Sequence, residues 1–276
     1  MEVFSLEAPP EGRAGGGRRH TGGTRSRARV AIGTFDGVHV GHRQVLHGCD
    51  TVLTFDPHPL QVLEPRRVPS LLSDRRRKLH KLAALGVRRV AIVPFDRAWS
   101  RVSAEDFVEG VVVDRLGAGF VSVGQGFRFG ARGVGTTSTF DRFPELSTRV
   151  VPLVTRGPED EPVSSTRIRR LILDGDLEAA ADLLGAFLTL PAAVGDEGRL
   201  LIPAPFVRPA PGFYLGCVDG HPCRLRVCRD RTVAVLGTAA VLGTVRTGAE
   251  VDVTFVKRAS WAEPAFRFPT PLTDVQ

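Results

Sequence analysis

Long apolar runs are missing from this 276-residue chain. No stretch approaches the ~20 residues that cross a bilayer. The N-terminus is acidic, Gly-rich and Arg-rich, without the apolar centre of a secretory signal, so a cytoplasmic location is the expectation. Cysteine is scarce. Cys49, Cys217, Cys223 and Cys228 include no Cys-x-x-Cys spacing, which argues against a zinc site or redox pair and leaves reduced thiols. Aromatic residues interleaved with basic ones are missing as well. Lys and Arg outnumber Asp and Glu, 37 against 30, but almost all of that charge is Arg scattered along the chain. A nucleic-acid platform needs clustered charge and stacking rings. The excess therefore fits a phosphate-rich small molecule, with no nucleic acid and no membrane as partner.

What the chain does carry is an apolar run, Val30-Ala31-Ile32, that breaks into Gly33-Thr34-Phe35-Asp36-Gly37-Val38-His39-Val40-Gly41-His42 and a helix from near Gly41. A glycine-rich strand-to-helix junction offers free backbone N–H groups and the positive end of a helix dipole, which suits a phosphate. His39 and His42, three residues apart, can face the same phosphate. An ordinary loop has no need of Gly-x-Phe-Asp-Gly-x-His-x-Gly-His, so the motif reads as chemistry.

The length allows one large or two ordinary domains. Residues 1–27 lack apolar periodicity and read as flexible. Only Arg43 to Gly48 separate the opening motif from a second strand, Asp50–Phe55, so the first helix should be one or two turns long. Asp56-Pro57-His58-Pro59 follows as a rigid loop at the carboxyl edge of the sheet, where open α/β folds bind ligands. Ser73 or Asp74 caps a helix with Leu79, Leu82, Ala83 and Leu85 on one face and the Arg75–Lys78 run in solvent. Strands at Val90–Phe95, Phe120–Val123 and Val150–Val154, with a helix opened by Ser103, complete a five-stranded parallel α/β domain over residues 28–187, Rossmann-like and doubly wound. Ser164-Ser165-Thr166 opens a later helix, where hydroxyls and N–H groups can hold phosphate oxygens and Arg167 and Arg169 add charge. From Pro191 the composition changes, and prolines clustered at Pro203, Pro205, Pro209 and Pro211 mark a linker or loop-rich entry. Alternation at Cys223, Leu225 and Val227, after the Asp219-Gly220 turn signal, then predicts a small antiparallel β-barrel-like domain within residues 188–276, spanning about 195–260.

The opening motif, Thr54-Phe55-Asp56-Pro57-His58-Pro59, Val123-Gly124-Gln125-Gly126-Phe127-Arg128-Phe129-Gly130 and Val163-Ser164-Ser165-Thr166-Arg167-Ile168-Arg169 stand in one order. In that order they resemble the FMN adenylyltransferase module of the bacterial bifunctional riboflavin kinase/FAD synthetase family, a member of the His-x-Gly-His nucleotidyltransferase superfamily. The resemblance implies transfer of AMP from ATP to FMN, with release of pyrophosphate and with Mg2+ accompanying ATP rather than sitting in a protein cage. It implies His39, His42 and Arg169 as catalytic, and Gly33, Thr34, Phe35, Asp36, Gly37, His39, His42, Ser164, Ser165, Thr166 and Arg169 as ATP contacts. Asp56, Pro57, His58, Pro59, Phe127 and Arg128 become the flavin contacts. Two features depart from the family: the short first helix, and Gly126, where the family usually places Asp or Asn. They keep open transfer to another phosphorylated acceptor, or flavin and nucleotide binding without turnover. Further on, Pro211-Gly212-Phe213-Tyr214 and Val251–Arg258 are faintly similar to the family's riboflavin kinase domain. Its Gly-Arg-x-x-Gly-x-Pro-Thr-Ala-Asn segment and catalytic Glu have no counterpart, so kinase activity is expected to be absent.

Overall fold

The computed structural model describes residues 1–10, 27–157, 159–236 and 247–260. They form two compact units. Met1–Phe35, Gly41–Val68 and Leu79–Val154 make up the first; Asp36–Val40, Pro69–Lys78 and the residues from Thr155 on make up the second. Among the described residues no helix is long and apolar enough to cross a membrane.

In the first unit, β1 (Glu2–Ser5), β2 (Ala28–Ile32), β3 (Thr51–Phe55), β4 (Arg89–Val93), β5 (Ala118–Gly124) and β6 (Ser147–Val151) form one parallel sheet in the order β1-β4-β3-β2-β5-β6. Its register sets Ala31 beside Val52, Val52 beside Val90 and Val30 beside Val121. These side chains are fully buried, which is why the inner strands read as continuous apolar runs rather than alternating ones. The helices along this part of the chain are α1 (Val40–Leu46), α2 (Pro59–Leu63), α3 (Arg75–Ala84) and α4 (Ala104–Asp106). Ser103 Oγ accepts the Asp106 N–H at 3.0 Å to start α4, which continues as a π-helix over Phe107–Arg115. Phe107, Val108, Val111 and Val112 bury that segment in one core with Ile32, Leu53, Val93 and Val121.

Two expectations change here. Residues 1–27 are not flexible throughout, because Glu2–Ser5 pairs with Arg89–Ile92 and makes the sheet six-stranded. An edge strand needs little apolar signal, since much of it meets water. Residues 11–26 of that segment lie outside the described residues. The last strand starts three residues before the expected Val150, because Ser147–Val151 is what pairs with Phe120–Gly124 and Pro152 stops the ladder. α1, at seven residues, has about two turns, within the one or two expected.

In the second unit a short hairpin, β7 (Thr155–Arg156) and β8 (Glu161–Pro162), precedes α5 (Ser165–Asp174) and α6 (Leu177–Leu184). Gly175 and Gly185 end these helices in left-handed conformation. β9 (Leu188–Val194), β10 (Leu200–Leu201), β11 (Gly212–Val218), β12 (His221–Val227), β13 (Thr232–Leu236) and β14 (Glu250–Ala259) close an antiparallel barrel in the order β10-β13-β12-β11-β14-β9. Cys223, Leu225 and Val227 are its buried alternating set, and Asp219 and Gly220, both at positive φ, make the tight β11–β12 turn. Pro191, where the composition changes, lies within β9 and faces Asp252 of β14, while the loop-rich stretch expected at Pro203–Pro211 runs without helix or strand between β10 and β11. Asp252 gives its N–H to Asp219 Oδ1 at 2.7 Å and its C=O to the Asp219 N–H at 2.9 Å. The facing Pro191 thus sits at a non-hydrogen-bonded position, where a missing N–H costs nothing. α5 and α6 group with the barrel, so the units do not divide at 187/188.

Candidate active site

Strand order reverses between β2 and β5, and ligands of open α/β sheets bind at the carboxyl ends of such a switch point. A cleft of about 840 Å³ lies there, within the first unit. That volume accepts a nucleotide- or flavin-sized ligand. Gly33, Thr34 and Phe35 line it after β2, the Gly124–Gly133 loop lines it after β5, and His42 enters from α1. Phe127 stacks on Phe129 at 5.3 Å and 20°, and Phe55 meets Phe95 edge-on at 5.9 Å, giving broad apolar walls suited to a fused planar ring. His42 packs edge-on against the buried Phe35 ring at 5.3 Å, which fixes the direction of its imidazole.

Of the expected flavin contacts, His58, Pro59, Phe127 and Arg128 line the cleft. Asp56 and Pro57 do not. Asp56 instead prolongs the β3–β4 ladder, donating its N–H to Val93 O at 3.0 Å and accepting the Phe95 N–H at 3.2 Å. His58 caps α2, its Nδ1 accepting the Leu60 N–H at 3.2 Å, so the neutral ring carries its proton on Nε2. Sequence reasoning missed Phe55, Phe95, Trp99 and Phe107, all in the cleft wall. A usable signal existed: Phe55 ends β3 and Phe95 follows β4, both at the ligand-binding edge. Among the described residues nothing lies within 4 Å of where a Cβ on Gly126 would stand, so a side chain there has room.

The rest of the opening motif, Asp36–Val40, belongs to the second unit with Pro69–Lys78 and α5. Asp36 is 3% exposed. Its carboxylate accepts the Leu72 N–H at 3.0 and 3.2 Å and Arg169 Nη2 at 2.6 Å. Ser165 Oγ donates to Asp36 O at 3.2 Å, and the Gly37 N–H donates to Ser73 Oγ at 3.2 Å. Gly37 has φ 81°, and Leu72 and Leu184 stand 3.1 Å from where its Cβ would be, so conformation and packing both demand glycine. His39 is buried beside them in sequence, at 5% exposure.

These bonds correct the picture of α5 as offering two open guanidinium groups to a phosphate. Arg169 is taken by Asp36 and by Ser70 O at 2.5 Å; Arg167 is taken by Arg156 O at 3.0 Å and by Glu161. A guanidinium withdrawn from water needs such partners. Ser164 Oγ accepts the Arg167 N–H at 3.2 Å as the helix cap, and Thr166 is exposed. Nor is Arg75–Lys78 a solvated face throughout: Arg77 is 8% exposed and bonds both Asp74 and Asp252.

The FAD synthetase family profile matches residues 23–167. The bifunctional riboflavin kinase/FMN adenylyltransferase of Escherichia coli (strain K12) is 33% identical over 186 residues, covering 62% of this chain and 59% of that protein. The protein of the same name from Listeria monocytogenes is 35% identical over the same shares, and that from Haemophilus influenzae is 31% identical over 56% of this chain and 54% of its own. The chain thus spans less than two thirds of the length of these relatives. A crystal structure described as a macrolide-efflux protein from Streptococcus pneumoniae shares the fold, with a TM-score of 0.75 and 23% identity over 94% of this chain and 100% of that one. The family profile covers more than half of the chain, including β2 and its loop, the whole cleft and the start of α5: the chain belongs to the FAD synthetase family.

Proposed function

We propose that the chain transfers AMP from ATP to FMN, forming FAD and pyrophosphate. The observation that carries this reading is the aromatic-walled cleft at the β2/β5 switch point with His42 in its wall. A flavin ring suits the stacked walls, and the loop after β2 suits a nucleotide. The second pKa of a phosphate monoester is about 6, so the attacking FMN oxygen is ionised without a strong base. Catalysis then rests on positioning and charge neutralisation. The FMN phosphate oxygen bonds to the α-phosphorus in line as the bond to the bridging oxygen of the departing pyrophosphate breaks. His39 and His42 donate to the phosphates, Gly33, Thr34 and Phe35 line the nucleotide, and Thr166 with the α5 N-terminus holds the triphosphate. Arg169 serves through Asp36, fixing the loop. Histidines, hydroxyls and backbone N–H groups match phosphate oxygens rather than a hard cation, so Mg2+ fits as an ion held mainly by ATP. Bound there, it supplies further charge neutralisation. Incubation of purified protein with ATP, Mg2+ and FMN, followed by chromatography of the flavins, is expected to yield FAD. ATP left intact, or hydrolysed to AMP with FMN unchanged, would overturn the reading.

The open position at Gly126 gives a finer test. Gly126→Asn adds a hydrogen-bonding side chain where the backbone has no positive φ and space is free. One such bond contributes about 1 kcal/mol. The KM for FMN should fall about fivefold with thermal stability unchanged; an unchanged KM would place residue 126 away from the acceptor.

We also propose that the barrel does not phosphorylate riboflavin. After Gly185 the chain offers Gly195-Asp196-Glu197-Gly198-Arg199-Leu200-Leu201-Ile202-Pro203, and it contains no asparagine at all. Ala234 to Thr247 has no acidic residue, and Glu250 opens β14. Metal-bridged phosphoryl transfer depends on such groups. Riboflavin and ATP should give no FMN with protein freed of host flavokinase, and FMN formation there would overturn the proposal.

A further inference from the structure

The ten-residue strap Pro69–Lys78 is anchored to the barrel and itself anchors the loop that carries His39, all within the second unit. Toward the barrel, the Leu71 N–H donates to Pro205 O at 2.9 Å and Leu71 O accepts the Val207 N–H at 3.0 Å. Asp252 of β14 accepts from Arg76 Nη2 at 2.7 and 3.0 Å and from Arg77 Nη2. Arg77 also bonds Asp74, whose Oδ1 accepts the Arg77 N–H at 2.6 Å. Toward the loop, the Leu72 N–H and Ser73 Oγ hold Asp36 and Gly37, and Ser70 O holds Arg169.

We propose that Asp252, on a strand of the barrel, is a positioning residue for adenylyl transfer, acting through Arg77 and the strap on the Asp36–His39 loop. The inference rests on the reading given under the proposed function and assigns the barrel a task within it. Arg76 is 71% exposed at its side chain, so its pair with Asp252 contributes little. Arg77 is 9% exposed at its side chain and depends on its two carboxylates. Removing the Asp252 charge leaves that guanidinium with Asp74 alone. The same short strap that then loosens supplies the donor to Asp36 and the acceptor for Gly37, two residues before His39. Catalysis by positioning is sensitive to displacements on the order of 1 Å.

The test compares Asp252→Asn and Asp252→Glu with the wild type in the full chain, reading kcat, the KM for ATP, the dissociation constants for ATP and FMN, and thermal stability. Asp252→Asn is expected to lower kcat about tenfold and to weaken ATP, with FMN affinity unchanged, consistent with a 1 Å-scale misplacement. Asp252→Glu should recover most of the loss. Should Asp252→Asn not fold, Arg77→Lys, which keeps the charge but not the two-carboxylate fork, is read in the same way. Lower thermal stability with kcat and ATP affinity unchanged, or equal loss of both substrates, overturns the inference. If the wild type binds ATP but makes no FAD, the adenylyl-transfer reading fails. The change in ATP dissociation constant in Asp252→Asn then still decides whether the barrel sets the loop.

Discussion

Replacing His42 with alanine is expected to lower turnover by about two orders of magnitude or more while changing FMN affinity by less than about threefold. The split follows from what a donor contributes at each stage. A hydrogen bond made to a ground state contributes about 0.5–1.5 kcal/mol, because water replaces it. A preorganised donor aimed at charge that develops in the transition state contributes about 2.7–4 kcal/mol. The second role is the one proposed for His42, since the buried Phe35 ring fixes its edge and its helix begins at the glycine-rich loop after β2. In the proposed complex FMN lies against the stacked Phe127 and Phe129 and keeps that wall without the imidazole. Steady-state kinetics with flavin fluorescence titration reads both quantities. Equal losses of FMN affinity and rate would assign His42 to the flavin instead.

Asp36→Ala should produce the largest loss of stability. The carboxylate is 4% exposed and the facing Arg169 side chain 12%, so neither charge can fall back on water. Breaking a buried pair from one side costs about 3–5 kcal/mol, mostly from the charge left behind. That is a large fraction of the roughly 5–15 kcal/mol that holds a domain together. At about 2–4 °C per kcal/mol, a melting temperature lower by roughly 10 °C is expected. Removing Arg169 as well should cost less than the sum of the two single changes, because the pair is coupled. Calorimetry of both single variants and the double variant checks this, and an additive result would mean that the two side chains act independently.

How far the sequence disclosed this follows from where each signal resides. β2, β3 and β4 are buried on both faces, so their apolar runs were visible in isolation. β1 was not, because a strand at the sheet edge with two charged or polar ends looks like any N-terminal tail. Why β9 tolerates Pro191 was not visible either, since the Asp219–Asp252 bonds that turn the facing Asp252 away from it join residues far apart in the chain. The opening motif was legible because its residues are contiguous. Its wiring was not: Asp36 finds Arg169, Gly37 finds Ser73, and Arg77 finds Asp252, all at long sequence separations. Reading charged residues one segment at a time assigned Arg77 to solvent and Arg169 to phosphate. Both are first of all partners of buried or half-buried carboxylates.

Adenylyl transfer to FMN is tested most directly by following label from ATP that carries 32P at the α-phosphate. With Mg2+ and FMN, label should appear in FAD in step with release of unlabelled pyrophosphate. Label that remains in ATP, or passes only to free AMP while FMN is unchanged, would contradict the account.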